Sequence, residues 1–163
     1  MLIKMYVIFL EMLHGLTINE HVRIALLAML SAQILKILFY YLRHRKINFR
    51  VFVQPSGMPS SHTAMVVGLA ASIGFVDGWA SNVFAIALIF AIIVMYDAAG
   101  VRRSAGKQAR VLNLMMEDLF TRKKINEMRL KELLGHTPLE VFFGALLGIF
   151  LAFAYHLIYL YGA

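Results

Sequence analysis

The sequence predicts an all-α membrane protein, a polytopic helical bundle of about four transmembrane helices with additional amphipathic interfacial helices. Hydrophobic residues make up 61% of the 163-residue chain, whereas soluble domains contain about 45–50%. Four separate stretches are apolar over nearly the length that a transmembrane helix requires, about 20 residues. Basic residues are concentrated between these stretches. At this length we expect one transmembrane domain, covering residues 1–163.

The apolar stretches define the predicted spans and suggest how they pack. The spans lie near residues 24–42, 63–79, 83–99 and 141–161. Small residues recur every four positions in the second and fourth spans, as at Gly144 and Gly148. Such spacing allows helix backbones to approach closely in a membrane. We interpret it as ordinary helix packing.

Charge predicts the orientation of the spans. Thirteen of the 16 Lys and Arg residues lie in the connections 43–50 and 101–136, and the turn near residues 77–82 has none. Because cytoplasmic connections of membrane proteins are enriched in Lys and Arg, both basic connections are predicted to be cytoplasmic. Apolar residues at helical spacing predict that residues 101–136 form amphipathic helix along the membrane.

The net charge of +7 is therefore assigned to a cytoplasmic, lipid-facing surface and not to nucleic-acid binding. We expect an integral protein of the cytoplasmic (inner) membrane of a prokaryote, with the lipid bilayer as its partner. The chain has no Cys, which excludes thiol-ligated zinc and iron–sulfur sites.

Polar and ionisable residues gather at the cytoplasmic ends of the predicted spans. They are Lys36 in the first span, Ser60, Ser61 and His62 at the second, Asp97, Arg102 and Arg103 at the third, and His136 and Glu140 at the fourth. Ionisable residues in or beside spans are costly to bury and tend to be functional. Their convergence at one membrane face predicts a functional site there.

The second span begins after a loop rich in Pro, Gly and Ser. Backbone N–H groups at a helix start bind anions, and the hydroxyls of Ser60 and Ser61 add donors. His62 could donate a proton to a leaving oxygen. The structural alternative is a serine N-cap followed by a histidine with no chemical role. The local sequence fits both interpretations.

The fourth span begins with a second ambiguous motif. His136 and Glu140 are four residues apart, so on a helix their side chains meet. A carboxylate on one ring nitrogen places the lone pair on the other, which can act as a nucleophile. Alternatively, Thr137 and Glu140 form a capping box with Pro138 in the first helical position. The local sequence does not separate these interpretations.

Two arginines follow the third span. Arg102 and Arg103 could each hold phosphate oxygens through a bidentate guanidinium, or both could be ordinary cytoplasmic charges. We favour a functional role for one of them, because Asp97 and Gly100 precede them at a predicted tight exit from the span. Asp97 either pairs with a basic residue, in a supporting role, or binds a metal together with a substrate phosphate.

Three segments together resemble a known family. They are Met-Pro-Ser-Ser-His (58–62), Tyr-Asp-Ala-Ala-Gly-Val-Arg-Arg (96–103) and Leu-Leu-Gly-His-Thr-Pro-Leu-Glu (133–140). In this order they resemble the divergent branch of the type-2 phosphatidic acid phosphatase superfamily, which is described as related to acid phosphatases and vanadium-dependent haloperoxidases. The resemblance covers roughly residues 33–148.

The wider superfamily carries Lys-x6-Arg-Pro, Pro-Ser-Gly-His and Ser-Arg-x5-His-x3-Asp. Lys36 and Arg43 match the first motif, residues 59–62 match the second with serine in place of glycine, and His136 and Glu140 match the end of the third.

This chain also departs from the superfamily motifs. His44 stands where the first motif has proline, and the Ser-Arg of the third motif is missing. Arg102 or Arg103 is the candidate to replace that arginine.

The resemblance implies hydrolysis of a lipid phosphate monoester without a metal or other cofactor. His136 would attack phosphorus and form a phosphohistidine, Glu140 would orient it, and His62 would protonate the leaving alcohol. The phosphoryl oxygens would be held by Lys36, Arg43, Ser60, Ser61 and Arg102 or Arg103. The substrate would be a membrane lipid or polyprenyl phosphate. Membrane members usually have six helices, so a homodimer could complete the bundle.

Two other functions fit the same residues. One is non-catalytic binding or transport of anionic lipids, which should survive loss of His136 and His62 if the basic residues remain. The other is a metal-dependent phosphoryl or alcohol transferase that uses Asp97, whose activity a chelator should abolish.

Overall fold

The computed structural model is all-α, which confirms the predicted fold class. It describes residues 4–6, 10–11, 14–15, 18–48, 52, 57–120 and 135–161. Its principal helices are α1 (Glu20–His44), α2 (Ser61–Val76), α3 (Asn82–Tyr96), a π-helical turn (Asp97–Val101), α4 (Arg102–Phe120) and α5 (Pro138–Tyr161). No strand occurs within these described ranges.

Side-chain caps set where the first three helices begin. The side chains of Asn19, Ser60 and Ser81 accept hydrogen bonds from the backbone N–H groups three residues ahead, at the starts of α1, α2 and α3 respectively. These bonds satisfy donors that a helix cannot pair internally. The serine cap that the sequence offered as one interpretation of the second span is therefore present.

Helix α2 forms the centre of the bundle and packs against α1, α3 and α5. Small residues allow the close approach to α5. A Cβ atom added to Gly144 would lie 2.5 Å from the carbonyl oxygen of Ser60, and one added to Gly148 would lie 2.6 Å from that of Ala64. The small residues of the two stripes therefore serve close helix packing, as predicted.

Within the described residues, three helical stretches are long and apolar enough to cross a membrane by length and composition. They are α1 (Glu20–His44), the continuous stretch Asn82–Met116 that runs from α3 into α4, and α5 (Pro138–Tyr161). The apolar helix α2 has 16 residues, or about 24 Å at 1.5 Å per residue, which is shorter than the hydrocarbon core of about 30 Å. The other helices shield most of it. The predicted count of four spans stays a prediction.

The outer faces of the bundle are apolar, as lipid exposure requires. Large side chains on α3 and α5 are exposed, including Ile86 at 71% and Phe150 at 63%. Extended apolar surface of this kind is rare on soluble monomers. An apolar outer surface around a core of small residues is typical of a helical bundle surrounded by lipid.

The exit from the third span differs from the prediction of a tight turn. The backbone continues from α3 through the π-helical turn Asp97–Val101 directly into α4. The following connection is helical over Arg102–Phe120, whereas residues 121–134 lie outside the described part. A π-helical turn inserts an extra residue into a helix and often marks a functional site.

Candidate active site

Five of the predicted site residues come together where α1, α2 and the start of α5 meet. Lys36, Ser60, Ser61 and His136 are each at most 3% exposed, and the Glu140 side chain is 18% exposed. Buried polar groups are costly unless they are hydrogen-bonded. We call these five residues the polar cluster. The contacts among them show how the cost of burial is offset.

His136 and Glu140 form the shortest side-chain contact of the polar cluster. His136 Nδ1 lies 2.8 Å from Glu140 Oε2. A carboxylate at this distance favours the tautomer that carries its proton on Nδ1, which places the lone pair on Nε2. The ring is thus oriented and polarised as a nitrogen nucleophile requires.

The same carboxylate also caps α5. The backbone N–H of Thr137 donates to Glu140 Oε2 at 3.2 Å, and the N–H of Glu140 donates to Thr137 Oγ1 at 3.3 Å. This is the reciprocal pattern of a capping box. The two contacts that the motif predicts are therefore both present, because one oxygen of Glu140 serves both the helix end and His136. The cap holds the carboxylate in position for the imidazole.

Ser60 joins the start of α2 to the start of α5. Its N–H donates to the carbonyl oxygen of Glu140 at 2.9 Å. Its Oγ accepts from the Thr63 backbone N–H at 3.4 Å and from Thr63 Oγ1 at 3.0 Å. Because a serine hydroxyl has one proton of its own, the Ser60 proton remains to be donated to a different acceptor. Thr63, which the sequence did not single out, orients this hydroxyl.

Lys36 supplies a buried positive charge. Its Nζ donates to Ser61 Oγ at 3.4 Å, and the Glu140 carboxylate belongs to the same cluster. Its aliphatic stem passes Gly57, where an added Cβ would lie 3.7 Å from Lys36 Cδ. A buried ammonium needs more than one compensating group. A bound phosphate oxygen would be a third compensating group for the Lys36 ammonium.

A backbone contact brings the π-helical turn to the polar cluster. The N–H of His136 donates to the carbonyl oxygen of Ala98 at 2.9 Å. The neighbouring Asp97 is partly buried. This contact holds His136, two residues before the start of α5, against the end of the third span. Sequence reasoning missed it, because a backbone carbonyl leaves no residue-type signal.

The remaining predicted residues are not part of the buried cluster. His62 is exposed on the first turn of α2, beside the buried Ser61 and Thr63. Arg43, on the last turn of α1, and Arg103, on α4, are also exposed. The side chain of Arg102 lies outside the described part. The roles of these residues, and the choice between the two arginines, stay predictions.

A metal site would need several acidic or histidine ligands near Asp97. Among the described residues there is no group of three or more His, Cys, Asp or Glu side chains that could hold a metal ion.

The opposite end of the bundle contains a polar contact that the sequence did not predict. His21 Nδ1 lies 2.7 Å from Ser72 Oγ, and His21 Nε2 lies 3.4 Å from Asp77 Oδ2. No residue close to His21 in the sequence offers such a partner. The partners are 51 or more positions away, and they tie the start of α1 to the end of α2.

Comparison with known proteins agrees with this architecture. The sequence profile described as the Divergent PAP2 family matches residues 17–151. The chain belongs to the divergent PAP2 family. A curated relative, "Uncharacterized membrane protein YuiD" of Bacillus subtilis (strain 168), is 42% identical over 139 residues, which cover 78% of this chain and 87% of the relative. No solved structure matches the chain significantly.

The divergent PAP2 match contains the whole polar cluster. Together, the family, the relative described as a membrane protein and the long apolar helices identify the chain as an integral membrane protein with a lipid bilayer environment.

Proposed function

We propose that this divergent PAP2 protein is a lipid phosphate phosphatase. It would hydrolyse a phosphate monoester through a phosphohistidine at the cytoplasmic face of a prokaryotic inner membrane. The observation that supports this proposal is the buried His136–Glu140 pair, 2.8 Å apart, in the same cluster as the Lys36 ammonium. A nucleophile, its orienting carboxylate and a cation for phosphate are the groups that phosphoryl transfer to nitrogen requires.

In the first step, the lone pair of His136 Nε2 attacks phosphorus and the bond from phosphorus to the ester oxygen breaks. His62 donates a proton to the departing oxygen, which leaves as an alcohol. Glu140 stabilises the positive charge that develops on the imidazole. The product is a phosphohistidine, formed without any change of oxidation state.

In the second step, water attacks phosphorus while His62 takes a proton from it. The bond between phosphorus and Nε2 then breaks, and inorganic phosphate and the original histidine are regenerated. Throughout, the phosphoryl oxygens are held by Lys36, Ser60, Ser61, Arg43 and either Arg102 or Arg103. These donors stabilise the charge that builds up on the phosphoryl oxygens in each transition state.

The substrate class follows from where the polar cluster lies. The cluster occupies one end of a bundle whose outer faces are apolar, so a phosphate at that position on a hydrocarbon anchor reaches it without leaving the bilayer. A membrane lipid or a polyprenyl phosphate meets this condition. We also propose a homodimer, since the four predicted spans are fewer than the six helices usual in membrane members of the superfamily.

The direct test is phosphate release in detergent from phosphatidic acid, a polyprenyl phosphate and a sphingoid phosphate, with excess chelator present. We expect release from at least one of them that is insensitive to the chelator. Release that the chelator abolishes would favour the metal-dependent transferase using Asp97. Absence of release from every lipid, with lipid binding retained, would favour the non-catalytic binding protein.

Glu140 variants separate its two roles. Glu140→Gln keeps a side-chain oxygen for the cap, since Gln also serves in capping boxes, but it removes the charge that polarises His136. We expect phosphate release to fall roughly 10³-fold with little change in the melting temperature. Glu140→Ala should lose both the charge on His136 and the helix cap, and loss of the cap should lower the free energy of unfolding by about 1 kcal/mol. Equal activity of Glu140→Gln and wild type would show that the carboxylate charge has no catalytic role.

A further inference from the structure

An apolar groove runs beside the polar cluster, between α1 and α5. It has a volume of about 320 Å³. Leu35 and Phe39 of α1 form one wall, Phe143 and Leu146 of α5 form another, and Met58 and Pro59 lie at one end. All of its lining side chains are apolar.

Along three chain segments, a residue that lines the groove is followed directly by a residue of the polar cluster or by one that contacts it. On α1, Leu35 of the groove is followed by Lys36 of the cluster. On the loop into α2, Pro59 is followed by Ser60. The groove therefore begins at the residues where the cluster ends.

The third segment is on α5. Phe143 lines the groove, and the next residue, Gly144, packs against the carbonyl oxygen of Ser60. At the same boundary, Gly57 lies against the stem of Lys36. A ligand that fills both regions would thus cross directly from a cation and hydroxyls to an entirely apolar surface.

We propose that this groove holds the headgroup-proximal part of the hydrocarbon chain of the phosphate lipid whose headgroup binds at the polar cluster. The inference rests on the proposed function and deepens it. An anionic amphiphile complements both regions at once. A water-soluble phosphate would leave the apolar groove unfilled, and a neutral lipid would leave the buried Lys36 ammonium without an added anion.

The groove then contributes to substrate choice. A lipid chain in the bilayer is already surrounded by hydrocarbon, so the groove adds binding energy through close van der Waals packing. Contacts next to the headgroup also align the phosphorus with His136. Alignment of this kind affects the rate as well as the affinity. Lipids with a chain bulky enough to fill the groove should be preferred over short-chain phosphates.

Photo-crosslinking tests the location of the chain without requiring catalysis. The probe is phosphatidic acid with a diazirine near the carboxyl end of one acyl chain, in vesicles containing the full-length protein. The control probe is the diacylglycerol with the same chain. We expect the phosphatidic acid probe to label residues 143–150 of α5 several-fold more than the control probe does. Equal labelling by the two probes, spread over the lipid-facing surface, would overturn the inference.

Two tryptophan variants on α5 provide a matched comparison. Leu146 lines the groove and Ile149 does not, yet both are 46% exposed on the same helix. Leu146→Trp should fill the groove, remove most of the specific labelling and lower the ratio of long-chain to short-chain phosphate release about tenfold. Ile149→Trp should leave the labelling and the ratio unchanged. Identical behaviour of the two variants would overturn the inference.

The outcomes also distinguish this inference from the proposed function. Specific labelling without phosphate release from any lipid would support the groove and contradict the phosphatase. Phosphate release that persists with the same chain preference in Leu146→Trp would support the phosphatase and contradict the groove.

Discussion

Replacing His136 with Ala should abolish phosphate release, with a fall of at least about 10³-fold. Without the imidazole there is no nitrogen for phosphorus to bond to, so the two-step route by way of a phosphohistidine is closed. Water held near the remaining donors would give only slow residual hydrolysis. The measurement is phosphate release from the best lipid substrate in detergent with chelator present, together with trapping of the acid-labile phosphoenzyme in wild type.

The matched control is His156→Ala. His156 lies near the far end of α5, where its ring stacks on Phe75 with centroids 5.3 Å apart. It has no position in the proposed chemistry, so its loss should leave the rate nearly unchanged. If His136→Ala released phosphate at the wild-type rate, His136 would not be the nucleophile.

His136→Ala also discriminates the phosphatase from the non-catalytic alternative. Lys36, Ser60 and Ser61 remain in the variant, so binding of the phosphate headgroup should persist. We therefore expect lipid binding to change by less than about tenfold while turnover disappears. A variant that retains both lipid binding and a transport activity seen in wild type would favour the binding or transport function.

Replacing Gly144 with Ala should lower both the stability of the protein and its activity. The new Cβ atom would lie 2.5 Å from the Ser60 carbonyl oxygen and 3.0 Å from Thr63 Cβ. The Ser60 backbone and the buried side chain of Thr63 have little room to shift. Helix α5 must therefore move away from α2. Overpacking of this kind costs about 1–3 kcal/mol.

The same displacement should disturb the site. The hydrogen bond from the Ser60 N–H to the Glu140 carbonyl oxygen, 2.9 Å long, crosses the α2–α5 contact close to Gly144. We expect the melting temperature in detergent to fall by several degrees and phosphate release to fall at least about tenfold, since small misalignments of catalytic groups are costly.

Gly100→Ala is the control for a glycine in helical backbone. An added Cβ there meets no atom within 4 Å, and alanine is the better helix former. Its melting temperature should equal or exceed that of wild type. If Gly144→Ala were as stable as Gly100→Ala, the close approach of α2 and α5 at this position would be wrong.

Local sequence was sufficient for the fold class and for the starts of two helices. Apolar stretches of near-membrane length and basic connections predicted an all-α membrane bundle, because both signals depend only on residue type along the chain. The Ser60 cap and the Thr137–Glu140 capping box were likewise readable, since their partners lie three residues apart. The glycines of α5 predicted a close helix contact through their regular spacing.

Local sequence could not decide what those residues do in combination. It offered a His136–Glu140 side-chain pair and a capping box as alternatives, and the structure contains both contacts, because one carboxylate oxygen accepts two hydrogen bonds. Neither contact excludes the other once the helix start is packed against α2.

The sequence alone thus determined the fold class and the family, and it offered two of the helix caps as candidates, since these depend on residue type and short spacing. Tertiary packing alone decided that Lys36 is buried against Ser61, that the Ala98 carbonyl contacts His136, and that His21 has a partner in Ser72. It also placed an apolar groove against the polar cluster. The physical reason is the same in each case: these contacts join segments dozens of residues apart, and only the packing of the helices brings their atoms within bonding distance.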